Sequence, residues 1–105
     1  MKYSIERTDK ANALISKLIL FIAEKFGNEV ALDKLDELEK DIMVLADNPY
    51  IGEKPIYPLL RKKGYLVLYL KKDIVFYKVD DNRKVVTIYA VVDQRQDYIS
   101  IIRGM

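Results

Sequence analysis

The spacing of apolar residues changes once along the chain, at the segment that contains all three prolines, Pro49 to Pro58. Before it, from Asp9 to Phe26, the residues Ala11, Leu14, Ile15, Leu18, Ile19, Ile22 and Phe26 recur at steps of three and four, the period of one helix face. Thr8 or Asp9 is suited to cap its start, because a short side-chain oxygen accepts an otherwise unpaired backbone N–H. A second stretch, Glu29 to Asp47, spaces Ala31, Leu35, Leu38, Ile42 and Leu45 in the same way, with Asp33, Lys34, Asp36, Glu37, Glu39, Lys40 and Asp41 between them. Gly27 suits the left-handed residue that closes a helix and Asn28 suits the cap of the next, so the two stretches predict a tight helical hairpin. Asn48-Pro49 ends the second helix, since proline pushes its predecessor out of the helical region, and Pro49 to Pro58 reads as an ordered surface loop.

Beyond the loop the period becomes two or the run fully apolar. Tyr65 to Leu70, Ile74 to Val79 and Val85 to Val92 are rich in Val, Ile, Leu, Tyr and Phe, which pack well on a pleated surface. Lys71-Lys72-Asp73 and Asp80-Asp81-Asn82-Arg83 are short polar breaks of the length that joins antiparallel neighbours. The opening Lys2 to Arg7 alternates Tyr3 and Ile5 with polar residues and predicts an edge strand. Together these predict an α+β fold: an N-terminal edge strand, a helical hairpin and a three-stranded antiparallel meander, with the helices on one sheet face. At 105 residues the chain is one domain, 1–105, with no room for a second.

Composition narrows the chemistry. The chain has no Cys and no His, which removes thiol nucleophiles, Cys/His zinc sites and every scheme built on an imidazole base. Proton transfer would fall to Tyr, Lys, Arg, Asp or Glu. The longest apolar run, Leu18 to Ala23, is far short of the roughly 20 residues of a membrane span, and the opening lacks a signal-peptide apolar region, so a cytoplasmic location with no membrane partner is expected. Eighteen basic against 16 acidic residues leave a formal charge of +2, so only an uneven distribution can support polyanion binding. No cofactor or metal is expected: Asp33, Asp36, Glu37 and Asp41 have helical spacing, but the interleaved Lys34 and Lys40 make them a solvated helix face.

Three strings carry a family resemblance: Asn48-Pro49-Tyr50-Ile51-Gly52 after the hairpin, Val75-Phe76-Tyr77-Lys78-Val79-Asp80 on the penultimate strand, and Arg95-Gln96-Asp97-Tyr98 after the last. In this order and at these distances the chain resembles the toxin of a RelE/ParE-type type II toxin–antitoxin pair over nearly its whole length. The resemblance implies a growth inhibitor neutralised by a cognate antitoxin, whose extended and helical segment wraps it. RelE-like members cut messenger RNA on the ribosome with Arg, Lys and Tyr side chains, whereas ParE-like members poison DNA gyrase without cutting RNA.

An RNA-cutting version needs a proton acceptor for the 2′-hydroxyl, stabilisation of charge on the phosphoryl oxygens and a donor for the leaving oxygen. The candidates are Arg95, Tyr98 and Lys78, with Arg61, Lys62, Lys63 and Arg95 as contacts to a nucleic acid or protein target. Departures from the RelE pattern favour the ParE branch. Ile74 stands where RelE-like nucleases carry an arginine, Asp93 and Gln94 replace a His-Gly pair, and Gln96 replaces a second arginine. The long hairpin, Asp9 to Asp47, also resembles the gyrase-directed branch. The readings are therefore a gyrase poison, a ribosome-dependent endoribonuclease, or an inactivated relative.

Each candidate has a plainer role. Arg95 can pair with Asp93 or Asp97 as a solvated loop residue, Tyr98 can anchor the chain end against the sheet, and Arg61-Lys62-Lys63 can be solubilising. Tyr65, Tyr69, Tyr77 and Tyr89 are explained by strand propensity before base stacking. Leu66, Leu68 and Leu70 alternate with Tyr65, Val67 and Tyr69, so both sheet faces are apolar, and the face away from the helices is expected to be partly open for a partner peptide.

Overall fold

The computed structural model describes residues 2–105. The chain runs β1 (Ser4–Arg7), α1 (Asp9–Phe26), α2 (Asn28–Asp47), α3 (Pro58–Lys62), β2 (Leu66–Tyr69), β3 (Asp73–Asp80), β4 (Val85–Asp93) and α4 (Ile99–Ile102). The four strands form one sheet in the order β1-β4-β3-β2. The meander is antiparallel as expected, while β1 takes the edge and runs parallel to β4, from Ser4 opposite Val85 to Arg7 opposite Ile88. No helix among the described residues is long and apolar enough to cross a membrane.

Thr8 caps α1, its Oγ1 accepting from the Ala11 N–H at 3.0 Å. The hairpin turn differs from the expectation. Gly27 alone ends α1 and starts α2, and Asn28 lies inside α2. Its φ of 94° and ψ of 163° lie in the extended region open only to glycine, not the left-handed helical one, so one residue reverses the chain. The expected Pro49 to Pro58 loop holds as far as Tyr57. Pro58 then opens the short helix α3, where its missing N–H is no loss and its fixed φ favours the first turn.

Two apolar clusters flank the sheet. On one face, Ala11 and Ile15 of α1 and Leu38, Ile42 and Leu45 of α2 pack on Val75, Tyr77, Val86, Ile88 and Val91. On the other, Val67, Ile74, Phe76, Ala90 and Val92 are buried beneath Leu60 of α3 and Ile102 of α4. A bulge explains how β4 feeds both. Phe76 lies opposite Ala90 but Tyr77 opposite Ile88, so Tyr89 is the extra residue and the alternation of side chains shifts there.

The expected open sheet face is thus corrected: α3 and α4, two short helices that periodicity does not reveal, close it. Leu66, Leu68 and Leu70 pack on the helical side. Most exposed apolar side chains lie elsewhere, at the hairpin (Leu20, Phe21, Phe26, Val30, Leu32, Met43, Val44) and in the segment from Tyr50 to Leu59, with Tyr69 of β2 and Ile99 of α4 exposed besides.

Candidate target-binding surface

The three strings that carry the resemblance meet at two neighbouring residues of β3, Phe76 and Tyr77. Tyr77, fully buried on the helical face, donates its hydroxyl to the Pro49 carbonyl at 2.8 Å and accepts from the Gly52 N–H at 3.1 Å. Burial raises its pKa above the usual phenol value and keeps the hydroxyl a donor. Gly52 is required at this approach: a Cβ there would lie 2.5 Å from the Tyr77 hydroxyl and 2.6 Å from the Val67 carbonyl. Tyr50 of the same loop donates to Asp81 in the β3–β4 turn, and Tyr3 donates to the other oxygen of that carboxylate at 2.6 Å. That bond to Asp81 is the main cause of a Tyr50 pKa pushed up to about 12, and the two phenols hold Asp81 below its ordinary range. On the opposite face, the Tyr98 ring lies against Phe76 with centroids 6.3 Å apart and planes at 54°.

Arg95 follows β4 and projects into solvent, with 77% of its side chain exposed. It is not free. Its backbone N–H and Nε donate to Asp93 Oδ1 at 2.7 and 3.2 Å, and Nη2 donates to Oδ2 at 3.0 Å. Asp93 is held below the ordinary aspartate range chiefly by that guanidinium, and Arg95 is correspondingly raised. Asp93 also sits directly across the sheet from Asp73, whose Oδ2 accepts from Lys34 of α2 at 2.5 Å. From the hairpin to the loop beyond β4 the order is therefore Lys34, Asp73, Asp93, Arg95, two neighbouring carboxylates flanked by two cations, and their formal charges cancel.

Asp73 is 1% exposed and its Oδ1 has no partner among the described residues. Beside it lies a small recess of about 130 Å³ edged by Lys34, Glu37, Asp41 and Lys71.

The remaining candidates do not join Arg95. Tyr98 is half-buried, and burial first, then the neighbouring Tyr57, raise its pKa, which keeps it a neutral phenol and leaves little phenolate to accept a proton. Lys78 lies five residues along β3 from Asp73, roughly 16 Å at the rise of an antiparallel strand. Its Nζ sits 4.4 Å from the Tyr65 ring centroid and 5.3 Å from that of Tyr89, two rings packed edge to face. Lys63 donates to the Met105 carbonyl at 2.5 Å, and Lys62 is exposed on α3. Arg61 lines a second recess with Tyr50, Lys54, Gly64 and Tyr65. Arg95 and Tyr98 thus share the end of the sheet at Asp73, while Lys78 and Arg61 lie near Tyr65 at the other. Sequence reasoning missed Lys54 and Tyr50 as recess residues. Tyr50 stands inside a singled-out string, whereas Lys54 is a lone basic residue with no distinguishing pattern.

The geometry agrees with comparisons to known proteins. A chain of the chromosomal ParDE toxin–antitoxin system from P. aeruginosa has the same fold, with a TM-score of 0.73 at 20% identity over 88% of this chain and 96% of that one. The RelBE2 toxin–antitoxin complex of Mycobacterium tuberculosis gives a TM-score of 0.62 at 17% identity, over 90% of this chain and 100% of that one. The intact RelBE complex of E. coli gives 0.57 at 17% identity, over 90% and 99%. No curated protein matches the sequence. The family defined as the ParE toxin of the type II toxin–antitoxin system parDE matches residues 5–98, and the chain belongs to that family.

Proposed function

We propose that the chain inhibits growth by binding a protein target, DNA gyrase, in the cytoplasm, and that a cognate antitoxin neutralises it. The observation that carries this reading is the state of Arg95. Catalysis on a phosphodiester requires preorganised positive charge at the phosphoryl oxygens, and here the only cation in the Arg95-to-Tyr98 string is chelated by Asp93. Tyr98 packs on Phe76 and against the apolar cluster that holds Ile74 and Val92. A phosphate there would meet neither an arginine clamp nor a basic proton acceptor.

In the binding role, Arg95 is a rim contact whose guanidinium keeps unpaired donors toward solvent, and Arg61, Lys62 and Lys63 form a separate basic patch at α3 and its C-terminal end. Electrostatic contacts of this kind set encounter rate and partner choice more than affinity. Supercoiling by purified gyrase, measured with and without the chain, tests the reading. Dose-dependent loss of supercoiling is the expected result, and unchanged supercoiling at excess chain contradicts it.

A further inference from the structure

At the end of the sheet away from Arg95, a recess of about 440 Å³ opens beside the start of β2, lined by Tyr50, Lys54, Arg61, Tyr65, Leu66 and Val79. Lys54 and Arg61 take part in none of the ion pairs of the described residues, and neither does Lys78, which is half-buried against the Tyr65 and Tyr89 rings. The segment that supplies Tyr50, Lys54 and Arg61 also exposes Ile51 at 54%, Ile56 at 70% and Leu59 at 63%. Cations and aliphatic side chains are therefore offered together.

We infer that this recess receives an acidic, aliphatic segment of a partner protein, with a carboxylate between Lys54 and Arg61 and apolar side chains against Ile56 and Leu59. This rests on the toxin–antitoxin reading only for the existence of a protein partner. Three observations select that occupant. Tyr65 is 5% exposed, with its ring already engaged by Tyr89 and Lys78, so a nucleic-acid base would have Tyr50 alone to stack on and no second ring to continue the stack. Asp81, bound to Tyr50, and Glu53, next to Lys54, place negative charge beside the recess, which a continuous polyphosphate would meet and a single carboxylate would avoid. Beside the recess the outward backbone groups are engaged: Val67 exchanges two 2.8 Å bonds with Glu53, and the Tyr65 N–H donates to the Leu60 carbonyl. The partner therefore contacts side chains here and does not add a strand.

The test is a titration of the full chain, followed by amide chemical shifts at low salt, with the acetylated and amidated hexapeptide Ser-Leu-Glu-Leu-Ser-Leu as probe. Saturable shifts centred on Gly64 and Tyr65 are expected. The double variant Lys54→Gln/Arg61→Gln, with an otherwise superimposable spectrum, should lose about tenfold in affinity, the scale of two exposed charge pairs. The double variant Lys71→Gln/Lys72→Gln, equal in charge change but at the other end of the sheet, should lose none. Equal loss in both variants, absence of saturation, or tighter binding at the same amides by a uridine hexanucleotide overturns the inference. Growth arrest on expression of the unaltered chain is scored separately. An inert chain counts against the toxin reading and leaves the outcome of the titration untouched, whereas a toxic chain with a silent recess does the reverse.

Discussion

The Arg95 guanidinium and the Asp93 carboxylate face one another at two points, Nε to Oδ1 at 3.2 Å and Nη2 to Oδ2 at 3.0 Å. The residue that most resembles a family's functional arginine is thereby turned from an unpaired cation into half of an exposed ion pair. Behind it, Asp73 and Lys34 repeat the arrangement in a buried setting. The end of the sheet that a nuclease would make strongly positive is balanced instead.

Substitution Arg95→Ala separates function from fold. The side chain is exposed and its pair with Asp93 is solvated, so the melting temperature should fall by no more than about a few degrees. Growth arrest on expression should be lost. Undiminished arrest by a soluble Arg95→Ala protein removes the residue from the target surface.

The same pair sets a pH dependence. Asp93 has a folded-state pKa below its unfolded value, so its contribution to stability is present above the ordinary aspartate range and is lost as pH falls through the depressed value. In a carboxyl-carbon NMR titration, the Asp93 midpoint should lie below that of a free aspartate and rise toward it in Arg95→Ala. An unmoved midpoint shows that the guanidinium is not the cause.

Leu38 is 1% exposed on the inner face of α2, within the cluster on Val75 and Tyr77. Leu38→Ala should cost about 2 to 5 kcal/mol in urea unfolding, through lost transfer energy and the cavity left behind. Toxicity should fall with the folded fraction and recover where temperature or a stabilising osmolyte restores it.

Gly52→Ala forces a methyl group onto the Tyr77 hydroxyl and the Val67 carbonyl, at a cost of about 1 to 3 kcal/mol. Tyr77→Phe removes one of the two obstructing atoms, so the double variant should be less destabilised than the sum of the single ones. Strict additivity in urea unfolding contradicts the contact.

The hairpin and the meander were legible because each buries one continuous stripe, and a buried stripe imposes its period on the sequence. The features that were not legible depend on contacts between distant segments. The parallel pairing of β1 with β4 leaves no local mark on Ser4 to Arg7. The bulge at Tyr89 is hidden in the apolar run Val85 to Val92, where both faces are buried and alternation has nothing to show. The helices α3 and α4, at five and four residues, are too short for a period, yet they cover the face that β-strand patterning alone leaves open. Among the candidate site residues, the pairing of Arg95 was readable as an alternative from the nearby Asp93 and Asp97. Its separation from Lys78 required the register of β3 against β4.

The most direct test of action by binding is a map of new 5′ ends in ribosome-bound messenger RNA, taken as growth stops after the chain is expressed. The account predicts arrest with no new ends relative to an uninduced culture. Ends that accumulate at set positions within codons, and vanish in Arg95→Ala, would show that the chain cuts RNA.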